Sequence, residues 1–200
     1  MMRKIFIVAI SFFFGLKPIC ANQQDHVAEV EKYLNDITTF ESDFIQVDRR
    51  GRVSYGRFFL KRPFLMKMDY WDPPTNVIIA RNNQIIHYDR ELKEKTVTSM
   101  YSSPLSFFLE KKIDLQKNLR VLSVRDESDM LSIKFCRKDE SAEGAVILVF
   151  SKDPMTLRKW IIFPSKSKGS LSDYTEISLM NWKSGHVIPD EEFNRFACPK

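Results

Sequence analysis

Few side chains in this 200-residue chain stand at spacings that could do chemistry. His26, His87 and His186 are scattered, and no cysteine or carboxylate spacing resembles a zinc or calcium site, so no metal is expected. A serine-hydrolase elbow would need Gly-x-Ser-x-Gly, which does not occur. Cys198 has no histidine in a telling relation to it. The six glycines form no phosphate-cradling loop. The pair Glu191-Glu192 stands in a turn-like context and reads as solvated surface. No catalytic residue and no cofactor are expected, and a binding role outranks an enzymatic one.

What remains is arginine. Arg62 ends the row Phe58, Leu60, Arg62, which shares one face of an extended segment because side chains alternate along a strand. Pro63 follows and cannot continue a backbone ladder. Beyond it, Met66, Met68 and Tyr70 share a face, with Leu65, Lys67 and Asp69 on the other. A guanidinium beside apolar surface needs partners, since burying it unpaired is costly. Arg49, Arg50, Arg52 and Arg57 are the densest charge feature. They read as a solvated hairpin end, or as an electrostatic patch for an acidic partner or anionic membrane.

The elements that must position these residues can be read in order. Val27, Val30, Leu34 and Ile37 recur at helical spacing, predicting a helix over Asp25–Ile37 with Asp25 as N-cap. Strand-like runs follow over Phe40–Val47, the two halves of Gly56–Trp71, Val77–Ala80, Gln84–Tyr88 and Lys95–Met100, with Asn82-Asn83 as a hairpin turn. Ser103-Pro104 starts a short helix to Glu110, apolar nearly all round through Leu105, Phe107, Phe108 and Leu109. Strands resume at Leu119–Arg125, Met130–Arg137, Ala145–Ser151, Leu157–Phe163 and Tyr174–Trp182, and Ser165–Ser172 reads as a mobile loop. About eleven strands with few helices predict a mainly β protein whose antiparallel sheet curls into an incompletely closed barrel, its concave apolar face covered by helices or a ligand.

The N-terminus bounds the compartment. Arg3-Lys4, an apolar run from Ile5 to Leu16 and a small residue at Ala21 make residues 1–21 a signal peptide, leaving one domain over 22–200. Cys20 opens a lipoprotein alternative, but bulky Ile19 precedes it. Removing residues 1–21, which carry three cations and no acid, lowers the formal charge from +5 to +2 and weakens the case for nucleic acid. Cys136 and Cys198 are either free thiols or a single bridge.

The order of motifs resembles a known family. Phe40-x3-Phe44-x-Gln46, Gly56-x-Phe58-x-Leu60-Lys61-Arg62-Pro63, Trp71-x-Pro73, Tyr88-Asp89, the Pro104 helix and Phe193-x2-Phe196-x2-Pro199 are similar to those of the LolA family of periplasmic lipoprotein carriers. Met66 and Met68 stand where bulkier aromatics are common in it. The resemblance implies an eleven-stranded half-barrel with a helical lid. It also implies acylated lipoproteins as cargo, an inner-membrane ABC-type release complex as donor, and in some bacteria an outer-membrane receptor. It makes Arg62 the lid latch and the helices bearing Val27, Val30, Leu34 and Leu105, Phe107, Phe108, Leu109 the lid. Phe58, Leu60, Met66, Met68 and Tyr70 then become the cavity wall of a monomeric periplasmic carrier. A lipid-sensing module, or a carrier of another lipid, is the alternative on the same half-barrel.

Overall fold

A computed structural model describes residues 19–103, 105–138, 144–164 and 174–196. Most of the expected signal peptide, Pro104, the 165–172 loop and Cys198 lie outside the described residues. One helix, α1 (Ile19–Asp36), precedes five antiparallel hairpin-linked strands: β1 (Thr39–Val47), β2 (Val53–Lys61), β3 (Leu65–Asp72), β4 (Asn76–Arg81) and β5 (Gln84–Asp89). After β6 (Glu94–Ser99) come two single 3-10 turns, Met100–Ser102 and Ser106–Leu109, and a one-turn helix α2 (Leu115–Asn118). A second meander follows: β7 (Leu119–Asp126), β8 (Met130–Arg137), β9 (Gly144–Lys152), β10 (Met155–Pro164) and β11 (Thr175–Ser184). A 3-10 turn at Asp190–Asn194 ends the described chain.

The strands form one sheet in the order β6-β5-β4-β3-β2-β1-β11-β10-β9-β8-β7. β1 pairs with β11, joining the two meanders, while β6 and β7 are the free edges. The expected open, eleven-stranded antiparallel sheet is therefore what forms. Its turns follow from local chemistry. Asn82 and Asn83 both take positive φ (49° and 60°), which a two-residue hairpin with primed geometry requires. Gly51, at φ 75°, closes the β1–β2 turn. The Asp48 carboxylate accepts from the backbone N–H groups of Arg50 and Arg52 in that turn, and Arg52 also pairs with it through its side chain.

The concave face carries the main core. Phe40 and Phe44 of β1, Phe58 and Leu60 of β2, Ile133 and Phe135 of β8, and Leu148 and Phe150 of β9 sit two or four residues apart, on one face of each strand, and are buried together. α1 lies in this concavity through Val27, Val30 and Leu34. Two helix expectations are corrected. Asp25 is not an N-cap: α1 begins at Ile19, and Asp25 is an exposed residue inside it. The segment after Ser103 forms a single 3-10 turn instead of an α-helix. Phe107, Phe108 and Leu109 anchor that turn individually in the core, so no longer helix is needed to bury them.

The convex face is covered too around β3–β5. Val77, Ile79 and Ile86 are buried on the side opposite Ile78 and Ala80, outside the main cluster. The C-terminal 3-10 turn packs on β3 and β4 there, burying Phe193. Lys67 and Asp69, which alternation sends outward, are 1% and 4% exposed. The Lys67 ammonium lies 3.0 Å from Asp69 and donates to Glu192 at 2.7 Å, and Arg90 pairs with Asp69 as well. Glu192 is thus a buried-cluster partner, correcting its reading as solvated surface. Glu191 is exposed.

Candidate functional site

The turn between β2 and β3 holds the covering elements in place. Arg62 lies just past β2, and its backbone N–H donates to the Thr38 carbonyl at 2.8 Å. Its guanidinium turns onto the C-terminal end of α1, where Nε donates to the Ile37 carbonyl at 2.7 Å and Nη2 donates to the carbonyls of Leu34 and Ile37. α1 has no basic residue in its own last turn. Arg62 therefore supplies, from another element, the cation and the donors that a helix C-terminus lacks. Burial lowers its pKa. Two residues on, Phe64 sits at φ 67°, and its N–H donates to the Leu109 carbonyl of the 3-10 turn at 2.8 Å. One tight turn thus binds both covers of the concave face.

α1 has other attachments. The Asn35 amide donates to the Ile113 carbonyl and accepts from the Ile113 N–H, both at 2.9 Å. Glu31 accepts from the Leu115 N–H at 2.8 Å, and the Tyr33 hydroxyl accepts from the Leu157 N–H at 3.0 Å. The 3-10 turn is held on its far side by Arg137 of β8, which donates to the Ser106 hydroxyl at 2.6 Å and to the Tyr101 carbonyl at 3.3 Å. These bonds tie α1 and the 3-10 turn to the segment between β6 and β7 and to strands β8 and β10.

Beneath the 3-10 turn is an apolar cavity of about 240 Å³. Phe58, Met66 and Met68 line it from β2 and β3, and Leu105, Phe108 and Leu109 line it from above. Leu60 and Tyr70, expected in the wall, lie elsewhere. Leu60 is fully buried in the core, and Tyr70 lines a separate polar pocket where its hydroxyl donates to Gln46 at 2.8 Å. Burial raises the Tyr70 pKa. Phe107 packs against Phe135, away from the cavity. Val27, Val30 and Leu34 also stand outside its lining. Residues that sequence reasoning missed complete the wall: Ile78, Ile85, Met100, Trp160 and Ile162, with Ser103 and Ser106 as its polar members. Alternation pointed to Ile78, opposite Met68 in the ladder. Trp160 faces inward only because of an irregularity between Leu157 and Lys159, a shift with no sequence signature.

The other candidates found partners or stayed apart. His26 Nε2 lies 3.2 Å from Asp126, His186 Nε2 lies 3.1 Å from Glu41, and His87 meets Asn76 at 3.1 Å. Among the described residues no three His, Cys, Asp or Glu side chains are grouped to hold a metal. Arg57 pairs with Asp43 at 3.0 Å and stacks over Trp71 at 5.5 Å. Cys136 is half-buried on β8. No helix among the described residues is long and apolar enough to cross a membrane. The arrangement offers an apolar ligand a largely apolar lining, and among the described residues it brings no nucleophile together with a base.

Comparison with known proteins bears on that geometry. Residues 35–195 match the family described as outer membrane lipoprotein carrier protein LolA. An uncharacterized protein of Rickettsia prowazekii is 27% identical over 81% of this chain and 76% of its own length. An outer-membrane lipoprotein carrier protein of Alkalilimnicola ehrlichii is 28% identical over 48% of each chain. Among solved structures, a DUF1329 family protein from Desulfovibrio piger shares the fold with a TM-score of 0.55 at 10% identity, over 88% of this chain and 97% of that one.

Proposed function

The chain belongs to the LolA family of outer membrane lipoprotein carrier proteins, and from that premise we propose that it is a periplasmic carrier taking up the acyl chains of lipoproteins released from the inner membrane and delivering them to the outer membrane. The observation that carries this reading is the apolar cavity whose cover is tied, together with α1, to the single turn Arg62–Phe64. Burial of acyl chains is worth about 0.8 kcal/mol per methylene, so a multiply acylated protein needs such a cover to stay dispersed in water. The cavity is below the range of about 300–1,000 Å³ that accommodates a drug-sized ligand, so loading requires the cover to move. The 3-10 turn is the part suited to moving. It is short, its apolar side chains are exchangeable with acyl chains, and it hangs on the Phe64 and Arg137 bonds. An ABC-type release complex would be the donor partner, and an outer-membrane receptor or the membrane itself the acceptor. The role is binding and transfer, without chemistry of its own.

The test is the cargo. The protein purified from periplasm under mild conditions is analysed by mass spectrometry for bound species. Acylated lipoproteins, released again on mixing with outer-membrane vesicles, are the expected result. Free lipid alone, or no cargo, would overturn the reading in favour of another lipid carrier or a sensing module.

A further inference from the structure

Trp160 is 2% exposed and lines the cavity, yet its indole Nε1–H is buried with no hydrogen-bond partner among the described residues. Buried tryptophan N–H groups usually find an acceptor, and an unpaired buried donor is costly. The two hydroxyls that line the same cavity bond to other donors, and neither accepts from the indole. The Ser106 hydroxyl takes the Arg137 guanidinium, and the Ser103 hydroxyl accepts from the Leu105 N–H. The indole's neighbours are aromatic: Phe58 at 5.2 Å and Phe108 at 6.2 Å, both edge-on. A contact from N–H to a ring face is a second-order substitute for a carbonyl.

We infer that Trp160 reads the carbonyl of a bound acyl chain. Its N–H donates to the ester or amide oxygen through which the chain is attached, and the cavity thereby prefers acylated cargo to plain hydrocarbon. This inference rests on the carrier reading and narrows it to a chemical class of ligand. Position supports it. Phe108, against which the indole packs, belongs to the covering turn, so displacing that turn would uncover one side of the indole to an incoming chain. Filling the cavity with alkyl chain alone would leave the donor unpaired. Filling it with an acyl chain would satisfy it while the remaining wall of Met66, Met68, Ile78 and Ile162 takes the methylenes.

The experiment compares two probes on the whole purified protein: a diacylated lipopeptide with ester-linked chains, and its dialkyl ether analogue of equal chain length. The chain holds three tryptophans, and Trp71 and Trp182 are both exposed, so their indole N–H signals serve as internal references. In proton–nitrogen spectra the Trp160 N–H is expected to move downfield with the ester probe and not with the ether probe. The ester probe should bind about three- to tenfold more tightly, the margin of one neutral hydrogen bond. In Trp160→Phe the ester-to-ether ratio should fall to near one. Equal affinities in the unsubstituted protein, an unmoved Trp160 signal, or a ratio kept in Trp160→Phe would overturn the inference while leaving the carrier reading in place. If neither probe binds, the carrier reading falls and this inference with it. Should Trp160→Phe fail to fold, the wild-type spectra and affinity ratio still decide.

Discussion

Replacing Arg62 by leucine removes three donor contacts to the Leu34 and Ile37 carbonyls at the end of α1. Hydrogen bonds to a charged group are each worth about 1.5–3 kcal/mol, so two acceptors put the gross gain at roughly 3–6 kcal/mol. Against it stands the cost of half-burying the guanidinium, whose Nη1 is buried without a partner among the described residues. A net loss of about 2–4 kcal/mol is therefore expected on Arg62→Leu. The loss should be local, because the apolar face of α1 stays packed and only its C-terminal turn loses its cap. Urea unfolding of purified protein measures the first quantity, and hydrogen exchange over residues 30–37 the second. The expected result is a lower midpoint with an unchanged slope, and faster exchange confined to that turn and the linked strand start. Arg62→Lys should fall between, since an ammonium cannot span both carbonyls in one planar fork. An unfolding free energy lowered by less than about 0.5 kcal/mol, with exchange unaltered, would refute the capping argument, because a solvated surface arginine gives that outcome.

Three further expectations follow from packing and charge. A Cβ at Gly56 would collide with the Phe44 ring and the Asp69 carbonyl, so Gly56→Ala should cost about 1–3 kcal/mol by thermal unfolding; an unchanged Tm would show that the two strands separate freely. Asp69→Asn leaves the buried Lys67 and the Arg90 guanidinium with one carboxylate fewer, and a loss of about 3 kcal/mol is expected by denaturant titration, with loosening of the C-terminal 3-10 turn; a neutral result would mean that Glu192 compensates both cations. The Lys152 ammonium that donates to Asp126 holds that carboxyl below its ordinary value of 3.8, helped by His26. A depressed native pKa stabilises the fold above the unfolded value and is lost as pH falls through the native one. Thermal unfolding of Asp126→Asn should therefore lie below wild type at neutral pH, and the two curves should converge as pH drops below 3.8; a gap of constant size in acid would contradict the assignment.

The hairpins were the most legible part of the fold. Asn82-Asn83 and Arg49–Arg52 specify turns through local backbone preference, and strict alternation puts Phe58 with Leu60 and Met66 with Met68 on one face each, while the assembled sheet decides that this face is the inward one. The covers were less legible. Ser103-Pro104 followed by apolar residues reads as an α-helix, yet four residues from Ser106 to Leu109 make only a 3-10 turn. A segment that short is shaped by the pocket receiving its side chains rather than by helix propensity. Similarly, Asp25 has the chemistry of a cap but sits inside α1, because local preference fixes a helix boundary only weakly.

The candidate site divides in the same way. Composition and pattern were enough to establish a concave apolar sheet needing a cover, to leave no nucleophile–base set in view, and to single out Arg62 as a cation in need of partners. These are properties of residue type and two-residue periodicity, which a single chain carries along its length. Which carbonyls Arg62 meets, that Trp160 and not Leu60 lines the cavity, and that Lys67, Asp69 and Glu192 share a buried cluster behind β3 depended on the assembled protein. The reason is that each follows from a juxtaposition of distant segments: α1 on the β2–β3 turn, an irregularity in β10, a C-terminal turn folded onto the convex face. Strand alternation says which side of the sheet a residue takes; only packing between elements remote in sequence decides what is waiting on that side.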